Sequence, residues 1–265
     1  MCTYPPSHHA DISQKTQQDQ WDLVGRTIRG EDLSEKQLSH RTIFHELLQS
    51  NLPPEDKAQK RLADEAFIVV GAGIETTANA LTVCTFHIVN QPRIYKRLHE
   101  ELVAAFPDPS VVPPLLELEK LPYLKACILE ALRLSYGLSA RHPRKHDRPL
   151  QYRNWTIPAH TVVSMTIVDI SHDPAVFPDS RSYIPERWLN DPKTATGVPL
   201  ERYLVAFGRG PRSCLGIKYV FLVFFFLGFF SLSFAFPHEK EWEKMKKESK
   251  LTVVDLLVSL GKSYI

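Results

Sequence analysis

An uninterrupted apolar-periodic segment over residues 59–90 most strongly limits what this chain can fold into. Strands in globular proteins are usually no longer than about ten residues, so a periodic segment of this length predicts a helix. Residues 91–106 and 121–137 show the same helical spacing, and a shorter helical segment begins at Thr42. Most of the patterned sequence is therefore predicted to be helical.

A segment of different character follows these predicted helices. Residues 150–168 are rich in Val, Ile, Thr and aromatic residues and are broken by Pro158, which predicts short strands joined by a turn. Residues 172–200 contain five of the 20 prolines and are predicted to form an ordered, irregular loop. The predicted fold class is therefore mainly α with a small β portion.

Composition excludes few classes of function. The 265 residues are enough for one domain with a real core, and an apolar fraction of 43% is ordinary for a globular protein. A formal net charge of +2 gives no reason to expect nucleic-acid binding. The four cysteines are far apart, without a CxxC pair, so neither a zinc site nor a disulfide framework is predicted.

The N-terminal region carries little pattern. Residues 1–40 are polar, and we expect the first twenty to be disordered. The first residues lack the apolar core of a signal peptide, so neither a signal peptide nor a membrane anchor is predicted there.

The sequence GAGIETT, residues 71–77, lies inside the longest predicted helix. Each glycine there lowers the stability of the helix by about 1 kcal/mol relative to alanine, so the presence of two requires an explanation. Taken alone, the motif favours close helix packing through small residues. The alternative is that Glu75 and Thr76 open the helix and deliver a proton relay.

The sequence EALR places Glu130 and Arg133 three residues apart on one face of the third predicted helix. An ordinary ion pair along a helix explains this spacing. A second arginine, Arg187 in the sequence PERW, follows in the irregular loop. If Arg187 folds back onto Glu130, the three side chains form a buried network of the kind that a buried carboxylate needs.

The segment FGRGPRSCLG, Phe207–Gly216, surrounds one cysteine with two arginines, three glycines and a phenylalanine. A lone cysteine is most often a small buried apolar residue, but that role explains these neighbours poorly. The glycines allow a tight turn and the close approach of a flat ligand, and a following helix would favour a thiolate at its N-terminus. A thiolate held in this way is a good axial ligand for haem iron.

These four motifs together resemble the cytochrome P450 haem-thiolate monooxygenases. The FxxGxRxCxG signature is matched in full, and the acid–Thr, ExxR and PERW motifs occur in the family's order. The resemblance covers about Thr42 to Lys218, and the sequences LRLSYGLSARHPR and FPDSRSYIPERW resemble fungal members, including those that act on terpenoids. The resemblance implies the C-terminal, haem-binding part of the P450 fold.

The resemblance also implies roles for individual residues around the haem. Cys214 would be the axial ligand of the haem iron, and Arg212 and Arg141 would each hold a haem propionate. Phe207 would pack near the thiolate and tune it. The glycines of the loop would give the flat cofactor room: Gly208, Gly210 and Gly216.

Two further groups take their roles from the resemblance. Glu75 and Thr76 would manage protons during oxygen activation. Glu130, Arg133 and Arg187 would form a structural network beside the cysteine loop.

The implied function is haem-dependent monooxygenation. The cofactor would be haem b, with electrons from NADPH through a reductase, and the substrate a lipophilic small molecule of secondary metabolism. A family member that rearranges peroxides or dehydrates without a reductase is an alternative, but Glu75 and Thr76 argue against it. The other alternative is a non-catalytic fragment from a truncated or mis-spliced gene.

The chain departs from the family at its start. The family has a membrane anchor, several helices and a substrate-covering region before the acid–Thr helix, and we expect these to be missing here. The full-length family is bound to the endoplasmic reticulum membrane. Without that anchor, we expect a cytoplasmic chain unless residues 219–236 insert into a membrane.

The second departure follows the cysteine loop. Residues 219–236 carry no charge and hold eight of the 14 phenylalanines, and as a helix they would span about 27 Å, near the hydrocarbon thickness of a bilayer. They fit a buried haem-contacting helix, a transmembrane helix or translated intron. We favour translated intron, because the resemblance stops at Lys218 and the codons there can contain a splice donor. Sequencing spliced transcripts tests this hypothesis.

The sequence thus predicts four regions. The last region, residues 237–265, is most simply explained as a charged helix exposed to solvent, with calmodulin-like binding as a less favoured alternative. The regions are a poorly patterned segment over 1–40, the haem-binding region over 41–218, the apolar segment over 219–236 and the charged tail over 237–265.

Overall fold

The computed structural model describes residues 6–31, 42–108 and 111–234. It divides into two compact units, Met1–Glu75 and Thr76–Ile265. The long helix predicted over residues 59–90 is continuous and belongs to both, with its first half in the first unit and its second half in the second.

The first unit is helical. Its core is formed by Val24, Leu62 and Ala63, against which Phe44 and Leu47 pack. Its elements are helix α1 (Pro6–Ile28), helix α2 (Ile43–Gln49), a 3-10 turn (Pro54–Lys57) and the first half of helix α3 (Gln59–Asn90).

Helix α1 corrects the expectation that the first twenty residues are disordered, because it begins at Pro6. Its Val24 is fully buried against Leu62 and Ala63 of α3. The polar composition of α1 gives no sign of this contact, since most of the stability of a helix in a protein comes from the packing of its apolar face.

The second unit contains the remaining elements. Helices α4 and α6 each begin with proline at the first helical position, where a missing N–H costs nothing. The helices are α4 (Pro92–Ala105), α5 (Leu115–Leu118), α6 (Pro122–Ser135), α7 (Ile167–Ser171) and α8 (Ile217–Phe234), with 3-10 turns at Pro185–Trp188, Leu200–Tyr203 and Gly210–Arg212.

Helix α6 lies at the centre of the second unit. Eleven of its 14 residues are buried, so it is surrounded on all sides instead of presenting a single apolar face. Glu101 of α4 caps it, accepting hydrogen bonds at 2.8 Å from the backbone N–H groups of Tyr123 and Leu124. This cap fixes where α6 begins and therefore where its charged residues lie.

The predicted β portion is a single hairpin. Strands β1 (Leu150–Tyr152) and β2 (Trp155–Ile157) pair antiparallel, with Tyr152 opposite Trp155. Outside the hairpin the described chain adds two isolated antiparallel bridges, Arg144 with Val163 and Lys193 with Pro199. Residues 172–200 form the ordered loop that the sequence predicts, anchored by the buried side chains of Phe177 and Tyr183.

Helix α8 contains most of the apolar segment predicted over residues 219–236. Val220, Phe224 and Phe225 are buried in the core of the second unit, whereas Tyr219 is 60% exposed. This packing agrees with the interpretation of a buried helix for the residues up to 226. The translated-intron hypothesis concerns the transcript and stays a prediction, and the charged tail over 237–265 lies outside the described residues.

Length and mean hydropathy select one described helix that could span a membrane, and it is α3 and not residues 219–236, for which a transmembrane helix was one of three interpretations. The core helix of a soluble protein passes the same test, so the match is weak evidence. Within the described residues, the apolar helix at Ile217–Phe226 is shorter than a membrane span requires.

Candidate functional site

The carboxylate of Glu130 is fully buried at the centre of a polar network. Arg133 donates to both of its oxygens, at 2.9 Å from Nε and 2.8 Å from Nη2. Arg187 donates through Nε at 3.0 Å, and the backbone N–H of Ile184 and the indole N–H of Trp188 each donate at 2.9 Å. Five donors therefore surround one carboxylate, which offsets its removal from water.

The guanidinium of Arg133 extends the network into the loop that follows α7. It is fully buried and donates to the backbone carbonyls of Ser171, Ser180 and Ser182, at 2.8, 2.6 and 3.2 Å. It also lies over the ring of Phe177, 5.1 Å from the centroid. One side chain thus fixes the path of an otherwise irregular segment.

Arg187 holds the same loop from its other side. Its Nη1 donates to the carbonyl of Pro178 at 3.0 Å, and its side chain is only 9% exposed. The structure therefore brings together the three residues that the sequence analysis grouped, Glu130, Arg133 and Arg187. The neighbouring Glu186 binds Arg93 and Arg97 of α4 and accepts from the hydroxyl of Tyr123.

The cysteine loop, Phe207–Gly216, is closed by its own backbone. The N–H of Cys214 donates to the carbonyl of Phe207 at 2.9 Å, and the N–H of Ser213 donates to Gly210 at 3.0 Å. Gly208 and Gly210 have φ of +69° and +78°, a left-handed conformation that disfavours other residues. These two glycines are therefore required by the loop itself.

The thiol of Cys214 is exposed at the end of this loop, and Leu215 beside it is 98% exposed. An uncovered leucine next to an uncovered thiol suits an apolar ligand that covers both. A side chain at Gly216 would lie 3.7 Å from the Cys214 sulfur, an ordinary contact. The loop alone does not need glycine there, whereas a bulky ligand on the sulfur would benefit from the space.

The other predicted haem contacts are two arginines and the phenylalanine that begins this loop. Arg212 ends the 3-10 turn of the loop and is exposed, as is Arg141 beyond the end of α6. The ring of Phe207 is half-buried and lies 6.0 Å from the ring of Phe221 on α8. The exposed guanidinium groups are accessible to an anionic ligand.

The acid–Thr motif lies on an unbroken helix. Helix α3 continues through Glu75 and Thr76, so the alternative of an opened helix is not seen, and Glu75 is exposed while Thr76 is half-buried. A Cβ at Gly71 or Gly73 would meet nothing within 4 Å, so the close packing favoured by the motif alone is not seen among the described residues either. The contacts of the described residues therefore do not explain the two glycines.

Some polar groups near the site were not predicted. The indole of Trp188 was present in the PERW motif but was not recognised as a donor to Glu130. Thr77, next to the acid–Thr pair, is 7% exposed, and its hydroxyl has no hydrogen-bond partner within the described residues. Tyr136 and His172 are joined by a hydrogen bond of 2.7 Å between residues far apart in sequence.

The three described cysteines differ sharply in environment. Cys84 and Cys127 are buried, whereas Cys214 is exposed. Burial raises the pKa of Cys84 to about 12 and the pKa of Cys127 well above its ordinary value. Of these three described cysteines, only Cys214 therefore fits the role of a soft metal ligand, since a thiolate is the form that binds metal.

A comparison with protein families matches this architecture. The model of the family described as Cytochrome P450 matches residues 1–221. The chain belongs to the cytochrome P450 family. The match ends three residues beyond Lys218, where the sequence analysis had placed the end of the resemblance, and it extends further toward the N-terminus than Thr42.

Curated relatives agree with the P450 assignment. Cytochrome P450 monooxygenase sdnE of Sordaria araneosa is 48% identical over 186 residues, covering 69% of this chain and 36% of the relative. Cytochrome P450 monooxygenase orf4 of Eupenicillium brefeldianum is 46% identical, covering 71% of this chain and 39% of the relative. The chain thus spans little more than a third of the length of the curated relatives that it matches.

The buried network predicts a large loss of stability when Glu130 is removed. Glu130→Ala leaves two buried guanidinium groups without their carboxylate, and we expect it to lower the free energy of unfolding by about 3–5 kcal/mol. The matched control is Glu117→Ala, which breaks the exposed pair with Lys120 at the same three-residue spacing and should cost less than about 1 kcal/mol. Urea unfolding measures both, and equal losses would contradict the account.

The cysteine environments predict selective thiol chemistry. In the folded chain carrying Cys2→Ser, we expect an aromatic disulfide reagent to react promptly with Cys214 alone. Cys84 and Cys127 should react only after unfolding, because burial keeps them protonated. Counting released thiolate with and without denaturant measures this, and prompt reaction of two or more thiols in the folded chain would show that the core is open.

Proposed function

We propose that this chain forms the haem-binding part of a cytochrome P450 monooxygenase, with the thiolate of Cys214 as the axial ligand of the haem iron. The observation that carries the proposal is the contrast among the described cysteines. Only Cys214 is exposed, and it lies in a loop that needs two left-handed glycines. The family supports haem as the cofactor.

The loop supports this role through its shape. The bond from the N–H of Cys214 to Phe207 closes the loop, so the sulfur is presented at a fixed place. The exposed Leu215 offers an apolar contact for the flat face of the cofactor. We assign the haem propionates to Arg212 and Arg141, since both guanidinium groups are exposed and can bind a carboxylate through two N–H groups.

The oxygen chemistry requires a source of protons. Haem, when bound, supplies activation of O2 and transfer of one oxygen atom to the substrate. Glu75 and Thr76 are adjacent on α3, and we assign to them the holding and delivery of protons during that step. The exposed carboxylate of Glu75 can exchange protons with solvent, while the half-buried Thr76 can pass them on.

The buried network supports the cysteine loop through the core that both share. Leu204, Ala206 and Phe207 pack against the same core as α6, and α6 carries Glu130 and Arg133. We assign the network a structural role: it fixes α6 and the loop around Arg187, and the cysteine loop packs on that frame.

Partners and localisation follow from the family. We propose electron supply from NADPH through a reductase and a lipophilic small-molecule substrate of secondary metabolism, without nucleic acid. For localisation we propose the endoplasmic reticulum membrane for a full-length form. For this chain we propose the cytoplasm, with membrane association through residues 219–236 as the alternative. The relatives' names support monooxygenation and specify no substrate.

The proposal predicts a spectroscopic signature. The purified chain, loaded with haem, reduced and exposed to carbon monoxide, should show the strongly red-shifted Soret band of thiolate ligation. Cys214→Ser should abolish this band, whereas Cys84→Ala, which removes a buried thiol, should retain it. Absence of bound haem, or a band typical of neutral ligands in the parent chain, would support the alternative of a non-catalytic fragment.

A further inference from the structure

The C-terminal end of α6 has an unusual backbone. Tyr136 and Gly137 follow the last helical residue with φ of 63° and 62°. Glycine adopts this left-handed conformation readily, but for tyrosine it is unfavourable. Surrounding contacts must therefore hold Tyr136 in place.

A chain of polar side chains supplies those contacts. The Tyr136 hydroxyl lies 2.7 Å from Nε2 of His172, and Nδ1 of His172 lies 3.1 Å from the hydroxyl of Ser180. A neutral imidazole satisfies both contacts, accepting at one nitrogen and donating at the other. Burial, Arg181 and Arg133 lower the pKa of His172, which favours the neutral form.

This chain is joined to the buried network. The backbone carbonyl of Ser180 accepts a hydrogen bond from Arg133 at 2.6 Å, and Arg133 binds Glu130. Arg133 lies on α6, which ends just before Tyr136, and it also binds the loop that carries Ser180. It therefore joins the helix before the turn to the loop that contacts the turn.

Gly137 lies directly against the segment that enters the cysteine loop. A Cβ built on Gly137 would overlap the carbonyl oxygen of Ala206 and lie 3.3 Å from its carbonyl carbon and 3.7 Å from its Cα. All three atoms are backbone, so no flexible side chain can move aside. Ala206 immediately precedes Phe207, whose carbonyl accepts the N–H of Cys214.

We propose that Tyr136 and Gly137 are positioning residues for the cysteine loop, which they hold through the backbone of Ala206. The turn shape comes from the Tyr136–His172–Ser180 chain, and the close contact comes from the missing side chain of Gly137. This inference rests on the proposed role of Cys214 as haem ligand, because that role gives the position of the loop its importance.

The decisive substitution is Gly137→Ala, with Gly197→Ala as its matched control. Both glycines have positive φ, so both substitutions strain the backbone, but a Cβ at Gly197 meets nothing within 4 Å. A difference between the two variants therefore reports the contact with Ala206 and not the strain. Tyr136→Phe provides a milder variant that keeps the ring and removes the hydroxyl bond to His172.

The first readout needs no haem. In the full-length chain carrying Cys2→Ser, the rate of Cys214 modification by the aromatic disulfide should change in Gly137→Ala and, in the same direction but less, in Tyr136→Phe. Gly197→Ala should keep the parent rate. Melting temperatures measured in parallel separate unfolding from a local change, and if Gly137→Ala fails to fold, Tyr136→Phe carries the comparison. Parent rates in both Gly137→Ala and Tyr136→Phe would overturn the inference.

The second readout uses added haem. We expect Gly137→Ala to weaken haem binding about tenfold and to reduce the fraction of the red-shifted Soret band, with Gly197→Ala unchanged. If the parent shows the band and Gly137→Ala matches Gly197→Ala in both affinity and band, the inference is wrong and the proposed function stands. If the parent shows no such band, the proposed function fails, and the thiol rates alone decide whether the turn positions the loop.

Discussion

A single buried carboxylate organises the second unit of this chain. Glu130 has no exposed surface, and five donors from α6 and the loop around Trp188 converge on it. Removing such a group from water is costly, and a partly satisfied network would be worse than an apolar core. The path of residues 171–188 is therefore set by the requirement that Glu130 and Arg133 find partners together, while the buried Nη2 of Arg187 has no hydrogen-bond partner within the described residues.

The cysteine loop depends on this frame but has the opposite character. The frame is buried, whereas the loop ends in an exposed thiol and an almost fully exposed leucine. Gly137 and Ala206 are where the two meet, backbone against backbone. A rigid frame beneath an exposed loop suits a site that accepts a large ligand. Binding costs less free energy when the protein group that contacts the ligand is already held in place.

The sequence predicted what depends on local pattern and on the chemistry of single residues. Helices α3, α4 and α6 have strong periodicity, and the pairing of Glu130 with Arg187 follows from the need of a buried carboxylate for partners. Helix α1 was missed because most of its residues are polar and Val24 is its buried apolar residue, in a core cluster shared with residues of α2 and α3. The bond between Tyr136 and His172 was missed because it joins positions 36 residues apart, and no local signal marks such a pair.

The central claim is that this chain presents Cys214 as a thiolate ligand on a frame held by Glu130. X-ray absorption at the iron edge of the haem-loaded chain tests it most directly, because scattering from sulfur differs from that of nitrogen or oxygen. The account predicts one sulfur bound to iron in the parent chain and none in a chain that lacks Cys214. Iron bound only by nitrogen and oxygen in the parent would contradict it.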